Sequence, residues 1–178
     1  MHRLMPRTAL VVMGTAGAGK TMVGEALAAA LDVRFVEGDA FHPASNVAQM
    51  AAGLPLTDEN RHGWLLALAT ELRNARERDE GVVLTCSALR RWYRDVLRSG
   101  DDSIRFIMLQ GDASLLRERL IARSGHFMPA SLLDSQLATL EVPTPDEGAW
   151  LFDVRQSPDE LVAAILAQLH AASDTHAI

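Results

Sequence analysis

The sequence is almost without lysine: of its 17 cationic residues, Lys20 is the one lysine and the other sixteen are arginines. Cysteine is as scarce. Cys86 stands alone, which excludes an internal disulfide and a Cys-rich zinc site and makes a reducing compartment the default. No apolar run approaches the ~20 residues of a membrane span. Met1–Met13 has neither a long apolar stretch nor a small-residue cleavage site, so a signal peptide is not expected and the cytoplasm is the expected location. Blocks of basic residues are missing too, and a net charge of −6 argues against non-specific nucleic-acid binding. What is present is 178 residues, 48% hydrophobic and 22% charged, enough for one buried core. A single domain over residues 1–178 is the expectation.

Short apolar runs alternate with amphipathic stretches. Ala9–Met13, Arg34–Glu37, Gly81–Cys86, Ile104–Leu109 and Trp150–Val154 read as strands. Val23, Ala26, Leu27, Ala30 and Leu31 recur at helical spacing after the first run, and Leu161, Val162, Ile165, Leu166 and Leu169 do so after the last. Residues 43–80 read as a short and then a longer helix, broken near Gly53–Pro55. Glu141–Gly148 reads as a loop, and residues 170–178 as a frayed tail. Strands separated by helices predict an α/β fold: a mostly parallel sheet covered on both faces. In such sheets ligands bind beyond the carboxyl ends of the strands, here just after Met13, Glu37, Cys86 and Leu109.

Gly14-Thr15-Ala16-Gly17-Ala18-Gly19-Lys20-Thr21 satisfies the phosphate-loop pattern G-x-x-x-x-G-K-[ST] between a strand and a helix. Glycines let the backbone N–H groups form a nest around phosphate oxygens, and the helix N-terminus adds its dipole. Lys20 would reach the β- and γ-phosphates of ATP, and the Thr21 hydroxyl would bind Mg²⁺. A compact ammonium enters such a nest where a planar guanidinium does not, so the one lysine stands where arginine cannot replace it. The dinucleotide pattern G-x-G-x-x-G fails, because Gly17 and Gly19 are followed by Met22.

The second run ends in Gly38-Asp39-Ala40-Phe41-His42-Pro43. Asp39 could take the proton of an acceptor hydroxyl or hold Mg²⁺ through water, and it also fits a turn or N-cap aspartate. His42 before proline equally suits a turn. Arg61 follows Asp58-Glu59 and could sit in a surface ion pair; Arg90, Arg91, Arg94 and Arg98 suit a solvated helix face with one or two members reaching a site. Arg119 and Arg123 share one helical face just before Ser124-Gly125-His126, with Gly125 a candidate hinge.

Taken together, these stretches resemble the gluconate kinases (gluconokinases) of the P-loop group. The similarity runs over residues 8–155: GTAGAGKT at 14–21, GDAFHP at 38–43, Asn46, Met50, GLPL at 53–56, DENRHGW at 58–64 and CSALRRWYRD at 86–95. It continues with RLIARSGHF at 119–127, Ser135-Gln136, LEVP at 140–143 and Asp146-Glu147. The resemblance implies a three-layer α/β/α P-loop fold with a five-stranded parallel sheet, like the nucleoside-monophosphate and shikimate kinases. It places a substrate-binding helical region over 43–80 and a short lid over 123–140. It also implies transfer of the ATP γ-phosphate to the 6-hydroxyl of D-gluconate, with Mg²⁺, often by a homodimer. By position, Lys20, Asp39 and Arg123 would be catalytic. The loop residues Gly14–Thr21, with Arg119 and Arg123, would bind nucleotide. Asp39, His42, Arg61, Arg94, His126 and Gln136 would face gluconate, and Thr21 and Asp39 (through water) the metal.

The pattern departs from the family at Trp92, at Arg90 and Arg91 in place of lysines, and at Ala16 and Ala18 in the loop, which bears on fine specificity. Rival readings are a P-loop kinase for another hydroxy acid, such as shikimate, and a nucleotide-dependent switch with little catalysis.

Overall fold

The computed structural model describes residues 7–123, 129 and 131–175. Strands β1 (Ala9–Met13), β2 (Arg34–Glu37), β3 (Val82–Thr85), β4 (Arg105–Gln110) and β5 (Trp150–Asp153) form one parallel sheet in the order β2-β3-β1-β4-β5. Register runs Val11 to Leu84 on one side of β1 and Val11 to Phe106 on the other. Alternate side chains of each strand serve opposite faces, and both faces are covered, so the central strands read as unbroken apolar runs.

On one face Leu10, Val12, Val83, Ile107 and Leu109 pack with Val23 and Leu27 of α1 (Lys20–Leu31). The same cluster takes in α7 (Pro158–Thr175) through Leu161 and Ile165. On the other face Val11, Met13, Leu84, Phe106 and Met108 pack with two further helices. Trp64, Leu65, Leu68 and Leu72 come from α3 (Asp58–Glu77), and Tyr93 and Leu97 from α4 (Arg91–Gly100). Helix α2 (Ala44–Ala51) precedes α3, whose start is fixed by a Thr57–Asn60 capping box. Helices α5 (Ala113–Ala122) and α6 (Leu132–Thr139) lie between β4 and β5.

Two expectations are corrected. Residues 141–148 are not a plain loop: Pro145–Glu147 form a 3-10 turn with its own Thr144–Glu147 capping box. Helix α7, anchored by buried Leu161 and Ile165 with Val162, Leu166 and Leu169 packed beside them, continues through residue 170 to Thr175, and the last three residues of the expected frayed tail, 176–178, lie outside the described residues. Among the described residues no helix is long and apolar enough to cross a membrane.

Candidate active site

The phosphate loop leaves β1 at the sheet's centre and enters α1 at Gly19, which holds φ 86° with no side chain to strain. Lys20 at the first helical position donates from Nζ to the Thr15 carbonyl at 3.0 Å, curled over its own loop. Desolvation lowers its pKa, with Asp39, Cys86 and Glu37 opposing and Arg123 adding to the shift. The Ala16 N–H is occupied: it donates to Gln136 Oε1 at 2.7 Å, so α6 reaches across to brace the loop. Gln136, expected beside gluconate, therefore touches the phosphate loop itself while also lining the cleft.

The edge strand β2, separated from β1 by β3, supplies the acids. Glu37 ends β2 and accepts from Thr21 Oγ1 at 2.6 Å and from Thr85 Oγ1 at 2.8 Å. Gly38 then passes so close to β3 that a Cβ would lie 1.8 Å from the Thr85 carbonyl oxygen. Its N–H donates to Thr85 Oγ1 at 3.1 Å and its carbonyl accepts from Trp64 Nε1 at 2.8 Å. That double hold presents Asp39 on the following 3-10 turn, Gly38–Phe41. His42 stacks on Trp64, ring centroids 4.0 Å apart and 19° from parallel, with Nε2 4.0 Å from Asp39 Oδ1. Burial drives its pKa down to about 4; Asp39 opposes the shift and Arg61 adds to it, so the ring is neutral at pH 7.

Arg61 is no surface residue. It is 8% exposed, donates from Nη1 to Tyr93 Oη at 2.9 Å, and the Tyr93 hydroxyl in turn donates to Asp58. Arg94 is the clear correction. Its side chain is 1% exposed, bonded to Glu147 and to the Ala88 carbonyl, and does not line the cleft. Arg91 and Arg98 pair with Asp146 and Glu147, so this helix face clamps the 3-10 turn instead of meeting substrate. His126 lies outside the described residues, as do the other residues of 124–128 and residue 130 of the expected lid.

These elements line a cleft with Lys20, Thr21, Asp39, His42, Arg61 and Arg123, among others, on its walls. An open groove adjoins it, lined by Met22, Val23, Ala122 and Leu161, with Arg119 at its side. Gly17, Gly19 and Arg123 border both. A groove with apolar walls suits a nucleobase, a polar cleft suits a hydroxylated anion, and the phosphate loop forms the boundary between them. Thr21 and the Glu37 and Asp39 carboxylates offer the hard oxygen donors Mg²⁺ prefers, few enough to leave room for water and phosphate oxygens. The sequence reading missed Glu37, although it ends the second apolar run where such sheets place ligands. It also missed Trp64, whose role depends on a contact 26 residues away.

A family model described as an AAA domain matches residues 10–143. A gluconokinase from Gluconobacter oxydans is 47% identical over 168 residues, covering 94% of each chain. Among solved structures, a sugar kinase from a Janibacter species superposes with TM-score 0.89 at 46% identity, over 95% of this chain and 98% of that one. A gluconokinase from Sinorhizobium meliloti does so with TM-score 0.85 at 44% identity, over 97% of both. The chain belongs to the gluconokinase family of P-loop kinases.

Proposed function

We infer that the protein is a gluconokinase, transferring the γ-phosphoryl group of ATP to the 6-hydroxyl of D-gluconate to give 6-phospho-D-gluconate and ADP. The observation that carries this is the junction at Gly17, Gly19 and Arg123, where the groove and the polar cleft meet on the phosphate loop. The loop N–H groups and Lys20 hold the phosphates, and Arg123 neutralises charge on the group in transit. Asp39 accepts the proton of the attacking hydroxyl as the new O–P bond forms and the bond to the ADP oxygen breaks. Arg61 provides a cation for the gluconate carboxylate. Arg119 flanks the nucleotide.

Thr21, with Glu37 and Asp39 acting through water, would hold Mg²⁺, which supplies charge neutralisation on the phosphates. The same reading takes the protein as a cytoplasmic homodimer, and sedimentation at micromolar concentration tests the dimer. ADP release measured across sugar acids, polyols and shikimate tests the activity. A gluconate-selective signal, with ³¹P NMR showing a 6-phosphate ester, is expected. Selectivity for shikimate or another acceptor, or background release with all of them, overturns it.

A further inference from the structure

Asn46 lies one helical turn beyond His42, is 2% exposed, and is buried between that imidazole and the start of α3. Its Nδ2 is 3.0 Å from the Asn60 carbonyl oxygen and 3.3 Å from His42 Nδ1. A main-chain carbonyl only accepts, so it fixes which end of the Asn46 amide faces it: the NH₂ end. Turning the amide over would press two carbonyl oxygens together in a buried place. One amide hydrogen therefore goes to Asn60 and the other to His42 Nδ1. A nitrogen that accepts that hydrogen carries none of its own, so the proton of the neutral ring sits on Nε2.

Nε2 is the atom 4.0 Å from Asp39 Oδ1. That spacing is too long for a direct hydrogen bond, yet an oxygen about 2.8 Å from each can stand between them. Such an oxygen must accept from the imidazole and donate to the carboxylate. A hydroxyl does both. A carboxylate oxygen has no proton for Asp39, and an ammonium has no lone pair for the N–H.

We propose that Asn46 is a positioning residue that locks His42 as the Nε2–H tautomer, making His42 and Asp39 a two-point seat selective for a substrate hydroxyl. It deepens the gluconokinase reading and rests on it for the identity of the acceptor. The Trp64 stack holds the ring plane, Asn46 holds the proton, and His42 serves as a donor with no free lone pair facing the cleft, leaving the base role to Asp39.

The test begins with ¹⁵N-histidine-labelled protein without substrates. The His42 ring signal is identified by its loss in His42→Gln. In the wild-type chain Nδ1 should show the shift of a bare nitrogen and Nε2 that of a protonated one; the opposite pattern overturns the proposal. Asn46→Asp turns the donor into an acceptor, so it should move the proton to Nδ1, and an unchanged spectrum also overturns it. This readout needs no turnover, so it stands apart from the question of whether gluconate is phosphorylated.

Kinetics give the second arm. His42→Gln keeps an N–H near the ε position, whereas His42→Phe keeps the stack on Trp64 and has no donor. Phenylalanine should lower kcat/KM for the acceptor about 10- to 100-fold with KM for ATP unchanged, and glutamine should recover most of the loss. Equal losses in the two variants, or none in either, overturn the hydroxyl seat.

Discussion

Arg94 and Glu147 meet as a buried fork: Nε to Oε1 at 2.6 Å and Nη2 to Oε2 at 3.0 Å, both side chains 1% exposed. Arg98 adds a third bond to Oε1 at 2.9 Å. The fork ties α4 to the 3-10 turn just ahead of β5, beside the site but not in it.

Removing one partner strands a buried charge. Arg94→Met or Glu147→Ala should cost about 3–5 kcal/mol in urea unfolding, while the folded fraction keeps its KM values. The double change to Met and Leu should recover a large part of that loss. Recovery of nothing would mean the pair contributes through something other than compensated charge.

The same pair predicts an acid limb of stability. Burial pushes the Glu147 carboxyl up, but hydrogen bonds from Arg94, Arg98 and the Thr144 N–H outweigh it and hold the group at about 2, against 4.5 ordinarily. The folded state thus keeps Glu147 ionised where the unfolded chain protonates it. Its contribution is complete above pH 4.5 and is lost as pH falls toward 2. Urea midpoints should fall across that window, and less steeply in Glu147→Gln.

Substitutions at Lys20 and Asp39 test the roles proposed for them. Lys20→Ala should lower kcat about 10³-fold, and Lys20→Arg should not restore it, because a guanidinium does not fit over the loop. Asp39→Asn should lower kcat by about 10²- to 10⁴-fold with ATP affinity near normal in equilibrium titration. Lost ATP affinity would assign the carboxylate to the metal instead of the acceptor.

Gln136 braces the phosphate loop through Ala16. Gln136→Leu leaves that N–H buried without its acceptor, a cost of about 1–3 kcal/mol that should appear as lower thermal stability and higher KM for ATP. Gln136→Glu keeps an acceptor, so stability should return. The added negative charge beside the phosphates should still depress turnover.

The strands and the helix following each were legible because buried parallel strands and amphipathic helices leave local patterns. Gly14–Thr21 and Asp39 were legible because phosphate nests and strand ends constrain residue type at fixed spacing. Arg94 was misplaced because its partner Glu147 lies 53 residues on, in a stretch that has turn composition and no periodicity. A helix-borne arginine looks the same in sequence whether it meets solvent, substrate or a distant carboxylate. Gln136 bonds to a residue 120 positions earlier, a link that only the folded sheet creates.

The strand between the acids and the phosphate loop carries no charge where it ends. Thr85 closes β3, Cys86 follows as a buried thiol whose pKa burial pushes up to about 12, and Ser87 lines the cleft. The order β2-β3-β1 therefore brings Glu37 and Asp39 in from one strand and Lys20 from another, with the neutral Thr85 and Thr21 hydroxyls bonded to Glu37 between them. In the proposed transfer a proton would move toward Asp39, beyond β2, while negative charge collects on ADP at the loop beyond β1. Both displacements would then run down the field between those acids and Lys20, whose direction follows from the order of the strands.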